Sequence, residues 1–482
     1  MKKNYFMAIA VAALMLATTV AQAADVTFSG QFRPRAQIND DANDLTTQRG
    51  NFDTRVRLNA KANVNANTEV FLQMQSVGTW GRDLATANTE TSDTSDRDSS
   101  AGSDILADVG FHQAYLTLKN FMGQAVDMKI GRQEVVLDGH RLFGHTGWTQ
   151  GAQTNDAIRF NHSAGNHTIN YIYIASDEAG SASASNNQNQ DIHILRAATQ
   201  GIMGGDLQGY FVMNDDQSSA AVSDDGNKWF TVGARQKGKI GGLDYRVEYY
   251  HQFGDGGVPA TASDQAEAYT VAPNNSADID REASMFGIRV GKTFKNAKFS
   301  PSITLWYDVL SGQDDDDVTG TSYGAFDTLQ DTGHKFYGLI DNFGGTGAGT
   351  GTGWYGLQDF AVKTKWQVAA GNTLKIDFHH FETQTSLDDS DSDTIRGNAN
   401  TSGAFTAALA GAGTTSSLDS SLGQEIDVTF VHKYDSNTKI VAGYAHYFTT
   451  LSHGYLNGSG GTAGRNSTDD QDWMWVMMDT KF

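Results

Sequence analysis

The 482-residue chain contains no cysteine and only 4 prolines. Without thiols there is no disulfide framework, no thiolate metal site and no cysteine nucleophile. Without Pro-rich or Gly/Ser-rich hinges nothing divides the chain into separately packed blocks, although its length would suit about three globular domains. Basic residues are scarce as well: 35 Lys and Arg face 56 Asp and Glu, a net charge of −21. That balance argues against nucleic acid as the main partner, because a phosphate backbone rewards surplus cations. Beyond the amino terminus no apolar run approaches the ~20 residues of a spanning helix. One large repetitive architecture is left to consider.

At the amino terminus Lys2 and Lys3 precede a mostly apolar run from Met7 to Val20 and the small-residue pattern Ala21-Gln22-Ala23. This predicts a cleaved secretory signal peptide over residues 1–23, the alternative being an uncleaved anchor. If the mature chain, residues 24–482, sits in a membrane, it must close a β-barrel, which satisfies every backbone donor and acceptor in lipid.

Segments of about ten residues alternate in hydrophobicity with period two. In the clearest, Phe52, Thr54, Val56, Leu58, Ala60, Ala62 and Val64 share one face, while Asp53, Arg55, Arg57, Asn59, Lys61 and Asn63 share the other. About eighteen such segments run from Val26 to Phe482. Tight turns such as Asn65-Ala66-Asn67-Thr68, Ser163-Ala164-Gly165-Asn166 and Asp435-Ser436-Asn437 alternate with long polar stretches such as 82–105, 255–282 and 383–422. Short turns on one rim and long loops on the other are the outer-membrane pattern, the short rim being periplasmic. The expected fold is an all-β, transmembrane, antiparallel up-and-down β-barrel of about eighteen strands, one domain over 24–482. Met474, Val476, Met478, Thr480 and Phe482 form a terminal strand of the kind barrel-assembly machinery engages. Tyr171, Tyr173, Tyr249, Tyr250, Tyr444, Tyr447, Phe448, Trp473 and Trp475 suit interfacial girdles or the lumen. Pro34 and Pro301 must each forfeit a ladder bond and mark a bulge or rim.

The acidic residues concentrate in the long loops, as in Asp314 to Asp317 and Asp388 to Asp393, where solvated loops beside lipopolysaccharide explain them. Asp389, Asp391 and Asp393 have calcium-ligand spacing, but Thr394 replaces the glycine and no acidic residue closes the loop. The inward face differs. Arg33, Arg35, Arg55, Arg57 and Lys61 share inward parity on two adjacent strands, with Arg159, Arg246, Arg289, Lys363 and Lys365 elsewhere on the wall. Like charges face one another there unless water, Asp53 or a passing anion compensates. These ten residues are the candidate pore-lining, anion-binding set; the alternative is a salt-bridge network that fills the barrel.

Gly131-Arg132-Gln133 followed by Asp156-Ala157-Ile158-Arg159-Phe160, and His334-Lys335-Phe336-Tyr337-Gly338-Leu339-Ile340-Asp341-Asn342-Phe343 followed by Gly356-Leu357-Gln358-Asp359, resemble the alginate-export family of outer-membrane proteins. The resemblance implies a monomeric eighteen-stranded barrel whose positively charged pore exports an anionic polysaccharide. Gly131 and Gly338 would allow tight turns or close approach, and Arg132 and Arg159 fixed charge at the mouth, although Arg132 falls on outward parity unless a bulge re-aims it. The alginate exporter has a long periplasmic turn that plugs its pore; here the corresponding turn, Asp435-Ser436-Asn437, is very short. An inward-folded loop around His334 to Phe343 is the better constriction, since its apolar residues are misplaced in an exposed loop.

The expected function is an outer-membrane channel of a Gram-negative bacterium passing anionic or polyhydroxylated solutes. General diffusion and a surface or adhesion role are the alternatives. An enzyme is disfavoured: Gly320-Thr321-Ser322-Tyr323-Gly324 matches a nucleophile elbow but lies in a loop. Asp138, His140 and His145 allow a metal or catalytic reading, but an interfacial or loop histidine is far more common, and Gly344 to Gly353 lacks the Lys-Ser/Thr of a phosphate loop. No cofactor or metal is expected.

Overall fold

The computed structural model describes residues 25–40, 49–80, 109–178, 189–216, 227–255, 280–312, 322–343, 355–385, 419–450, 452–453 and 470–482. The signal-peptide stretch, the Asp314 and Asp388 acidic runs, the start of the Gly320 motif and the Gly344 run lie outside them. The strands are β1 (Asp25–Asp40), β2 (Arg49–Asn63), β3 (Thr68–Thr79), β4 (Gly110–Leu118), β5 (Val126–Gln133), β6 (Asn155–Ala164), β7 (His167–Glu178), β8 (Asn189–Ile202), β9 (Gly205–Asp216) and β10 (Asn227–Ile240). They continue as β11 (Leu243–Asp255), β12 (Asp280–Thr293), β13 (Ser302–Leu310), β14 (Ser322–Tyr323), β15 (Leu357–Ala369), β16 (Asn372–Glu382), β17 (Ser421–Lys433), β18 (Thr438–Thr449) and β19 (Gln471–Lys481). The two-residue β14 only pairs parallel with the end of β12. The other eighteen run antiparallel, each beside its chain neighbour, and β1 pairs with both β2 and β19. A closed wall leaves no sheet edge unpaired.

The side-chain period of two fixes which residues face out. Phe28 is 62% exposed, Leu305 51% and Met474 52%, and Leu58, Leu195, Phe211 and Val476 project alike. Such a band would aggregate in water but is the favoured face against acyl chains. Tyr171, Tyr249, Tyr444 and Phe448 join it, whereas Tyr250, Tyr447, Trp473 and Trp475 are buried on the inner side. Among the described residues no helix is long and apolar enough to cross a membrane; the strands cross it.

The seam between first and last strands ends on the terminal residue. Gly30 N donates to Phe482 O at 2.6 Å and Phe482 N returns to Gly30 O at 3.1 Å, with the Phe482 ring lying where a side chain at Gly30 would stand. Pro34, lacking an N–H, coincides with two missing pairs in the β1–β19 ladder, which resumes in the same register without a bulge. Pro301 sits at the short rim just before β13 and accepts from Phe294 N at 2.8 Å.

The inside is not uniformly polar. Towards the long-loop rim the inward residues are apolar, including Ile172, Ile174, Ile192, Ile194, Val212, Met285 and Leu357. They pack against Val135, Leu137, Leu142 and Phe143 from the β5–β6 connection and Phe326, Phe336, Tyr337 and Phe343 from the β13–β15 connection. This part of the lumen therefore behaves as a hydrophobic core, a departure from the aqueous bore that alternation alone predicts. The sequence read the second of these loops as folding inward and did not identify the first.

Candidate functional site: a cationic cavity beneath two inward-folded loops

The two loops join edge to edge. Gln330 N donates to Leu142 O at 3.0 Å, Gly144 N to Gln330 O at 2.8 Å, and Thr332 N to His140 O at 3.2 Å. Satisfied in this way, their backbone can leave water. The second loop docks on β17, where Leu339 N and Ile340 N donate to Glu425 Oε1 at 2.6 and 2.9 Å. Gly338 makes this possible: its φ is +85°, and a Cβ there would collide with the Glu425 carboxylate. Phe343 then packs on Phe381, ring centroids 4.5 Å apart.

The first loop crosses the bore. On one side Trp148 is wedged between Trp473, Trp475 and the parallel His334 ring, 4.5 Å away, with the Arg35 guanidinium 4.8 Å from its centroid. Beside it the arginines of β1 and β2 grip the loop backbone. Arg33 donates to Gly147 O at 2.7 Å, Trp148 O at 3.1 Å, Thr149 O at 2.8 Å and Gln150 Oε1 at 2.9 Å. Arg35 donates to Trp148 O at 3.1 Å, and Arg55 to Thr149 O at 3.2 Å and Gln31 Oε1 at 3.0 Å. All three are buried, and no described carboxylate is ion-paired with any of them. Like charges on Arg33 and Arg55, paired directly across the ladder, are thus tolerated through neutral carbonyls.

On the far wall the same loop inserts Arg141, which bonds Asp308 and Tyr337 and lies 3.4 Å from Glu248. Arg246 at 3.3 Å, Arg235 at 3.6 Å and Arg289 at 3.7 Å also converge on Glu248, and Arg289 reaches Asp308 at 3.2 Å. Four guanidiniums surround two carboxylates. Trp306 absorbs part of the excess, with Arg289 3.1 Å and Lys363 4.6 Å from its centroid.

Beneath the loops lies a cavity of about 680 Å³. Arg33, Arg55, Arg57, Lys335, Lys439 and Lys481 line it, against Glu134 and Asp479. Arg57 lies 3.4 Å from Glu134 and 2.9 Å from His112 Nε2. Burial pushes the Glu134 carboxyl up, but the His112 hydrogen bond and the Arg57 charge outweigh it and hold it below the ordinary value. Burial, then the charges of Arg246, Arg235 and Arg141, pushes the Lys335 ammonium down to about 8. Partial burial, then the Lys335 charge, pushes the half-buried His140 down to about 4.

Of the ten pore-lining candidates the cavity unites Arg33, Arg55 and Arg57, with Arg35 behind Trp148. Arg246 and Arg289 belong to the Glu248 network. Lys363 pairs with Asp377 at 3.7 Å and Lys61 with Glu69 at 2.9 Å. Lys365 is exposed opposite Lys375. Arg159 faces Lys129 on the β5–β6 wall. Arg132 keeps outward parity, with no register shift, and is ion-paired with the exposed Asp156, so it supplies no charge to the lumen. Gly131 has φ +121°, and Gln133 is buried, donating to Ala157 O at 3.0 Å. His334 bonds Asp341 at 2.8 Å, and Phe336 lies under Arg141, 3.8 Å from its guanidinium. Lys335, Lys439, Lys481, Arg141 and Trp148 were not anticipated. Asp138 is committed to Arg196, at 2.5 Å, and to Tyr210.

An eighteen-stranded antiparallel barrel with an apolar outer band and loops folded into its bore defines an outer-membrane channel. The alginate export family matches residues 24–450, and the chain belongs to that family. Among solved structures it is similar to Pseudomonas aeruginosa OccK8 (OprE), with 11% identity, a TM-score of 0.54 and coverage of 95% of this chain and 98% of that one. It is also similar to P. aeruginosa OpdO, with 9% identity, a TM-score of 0.55 and coverage of 95% and 97%. Acinetobacter baumannii OccAB1 gives 10% identity, a TM-score of 0.53 and coverage of 95% and 96%. At these identities the likeness is one of fold. Comparison with curated proteins finds no match.

Proposed function

We propose that the protein is an anion-selecting channel of a Gram-negative outer membrane, passing anionic or polyhydroxylated solutes past the cationic cavity. The observation that carries this reading is the bonding of Arg33, Arg35 and Arg55. Amide oxygens engage these guanidiniums without cancelling their charge, and Arg35 Nε and Arg55 Nε are buried without a hydrogen-bond partner among the described residues, so three buried guanidiniums keep a positive potential over the space beside them. With the loop oxygens already engaging part of each guanidinium, the wall attracts an anion without clamping it, as conduction requires. The ring faces of Trp148 are taken by His334 and Arg35, so recognition runs on charge and not on stacking against a sugar. Arg57 extends the strip; Lys61, Arg159, Arg246, Arg289, Lys363 and Lys365 add to the field around the bore.

The family's description makes an anionic polysaccharide one such solute. In this reading the barrel works as a monomer, contacts lipid and lipopolysaccharide, and is delivered to the assembly machinery by the strand ending at Phe482. Flux into proteoliposomes tests it: glucuronate should enter several-fold faster than glucose, and equal or slower entry of the acid would refute it.

A further inference from the structure

The loop segment 147–150 presents four successive acceptors to a row of arginines: the carbonyls of Gly147, Trp148 and Thr149 and the Gln150 side chain. A row of oxygens against guanidiniums is what a polyanion would offer, except that these oxygens carry no formal charge. A charge-assisted bond from guanidinium to carboxylate is about twice as strong as one to a neutral acceptor. The chain thus fills its own anion site with a weaker imitation of an anion.

A second observation concerns the loop itself. Asp138, His140, Thr146 and Ala152, none of them glycine, all have φ between +44° and +67° within the β5–β6 connection. Left-handed backbone is unfavourable for alanine and more so for β-branched threonine, and it persists only where surrounding contacts impose it. Arg33, Arg35 and Arg55 on one side and Arg141 on the other hold the loop in these unfavourable conformations.

We propose that the Arg33–Arg35–Arg55 row is a binding site for multivalent carboxylate or sulfate anions, normally occupied by residues 147–150, and that such an anion displaces the loop and widens the bore. This deepens the channel reading and rests on it. The solute would then open its own path, while a monovalent ion such as chloride would leave the loop docked.

Hydrogen–deuterium exchange on the wild-type barrel in detergent tests this, with chloride, sulfate and citrate compared at equal ionic strength. Thr149 N and Gln153 N, which donate to Thr146 O and His145 O in the docked loop, should exchange at least threefold faster in citrate than in chloride, with sulfate between and the strands unchanged. An R33Q/R55Q variant should exchange fast in every salt. Exchange indifferent to anion valence, or a variant loop as slow as wild type, would overturn the displacement proposal while bilayer anion selectivity left the channel reading standing. Absence of anion selectivity would remove both.

Discussion

Replacing Arg33 and Arg55 by glutamine removes two positive charges from the cavity wall and keeps side chains of similar polarity. A sphere of 680 Å³ has a radius of about 5.5 Å, which places each charge roughly 6 Å from an anion at the centre. At the dielectric constant of water that is about 0.7 kcal/mol per charge, which screening at 0.1 M salt lowers to about 0.4. Two charges then contribute about 0.8 kcal/mol, or about fourfold in the occupancy of a monovalent anion. For a trivalent anion the same arithmetic gives about sixty-fold. These are lower bounds, because the low-dielectric wall strengthens the field. The assay is the citrate-to-chloride permeability ratio from reversal potentials in planar bilayers, which R33Q/R55Q should lower about fifteen-fold, about sixty-fold for the trivalent ion set against about fourfold for the monovalent one. Since Arg33 and Arg55 also hold residues 147–150, conductance should rise while selectivity falls. An unchanged citrate-to-chloride ratio in the variant, or a ratio that rises together with conductance, would contradict a selecting role for these charges.

Lys335 makes anion preference depend on pH. With its ammonium near 8, raising the pH from 7 to 9 removes one cavity charge and lowers preference about twofold; K335Q should flatten the profile. The linked stability has the opposite sign: an undocked Lys335 near 10.5 binds more protons than the docked one between pH 8 and 10.5, so docking tightens as pH rises through that window and is weakest below 8. Trp148→Ala leaves a void among Trp473, Trp475 and His334 and should weaken loop docking by about 3–5 kcal/mol, seen as faster amide exchange over 145–153 with the β-sheet spectrum intact. Gly338→Ala meets both an unfavourable φ and the Glu425 carboxylate; it should release the 336–343 turn, expose Phe343 to a hydrophobic dye, and raise single-channel conductance.

The wall was legible because a lipid face and an inner face impose a strict period of two, and because every hairpin announces itself by a short or a long connection. The placement of Arg33, Arg35, Arg55 and Arg57 follows from parity alone, as does the outward position of Arg132. The inward-folded β5–β6 loop was not legible. Val135, Leu137, Leu142 and Phe143 have neither strand nor helix period, and the cluster they join draws on β7, β8, β9, β11, β12 and β15 through residues that parity shows only as inward. Its one local sign was Arg141 set among apolar neighbours, a charge that makes sense only when Asp308 and Glu248, more than a hundred residues away, close around it. The His334 to Phe343 stretch was readable because its aromatic residues have no reason to be in water, but its dock on Glu425 depends on a backbone turn that sequence does not spell out. The cavity cations Lys335, Lys439 and Lys481 come from a loop and two distant strands, and only closure of the barrel brings them together.

In this channel positive charge on the inner wall should govern what passes. Reversal potential of the wild-type barrel across a tenfold potassium chloride gradient measures this directly. The wild-type barrel should show discrete channel steps that reverse on the chloride side of zero; reversal on the potassium side, or a correctly folded barrel that never conducts, would contradict a cationic selecting wall.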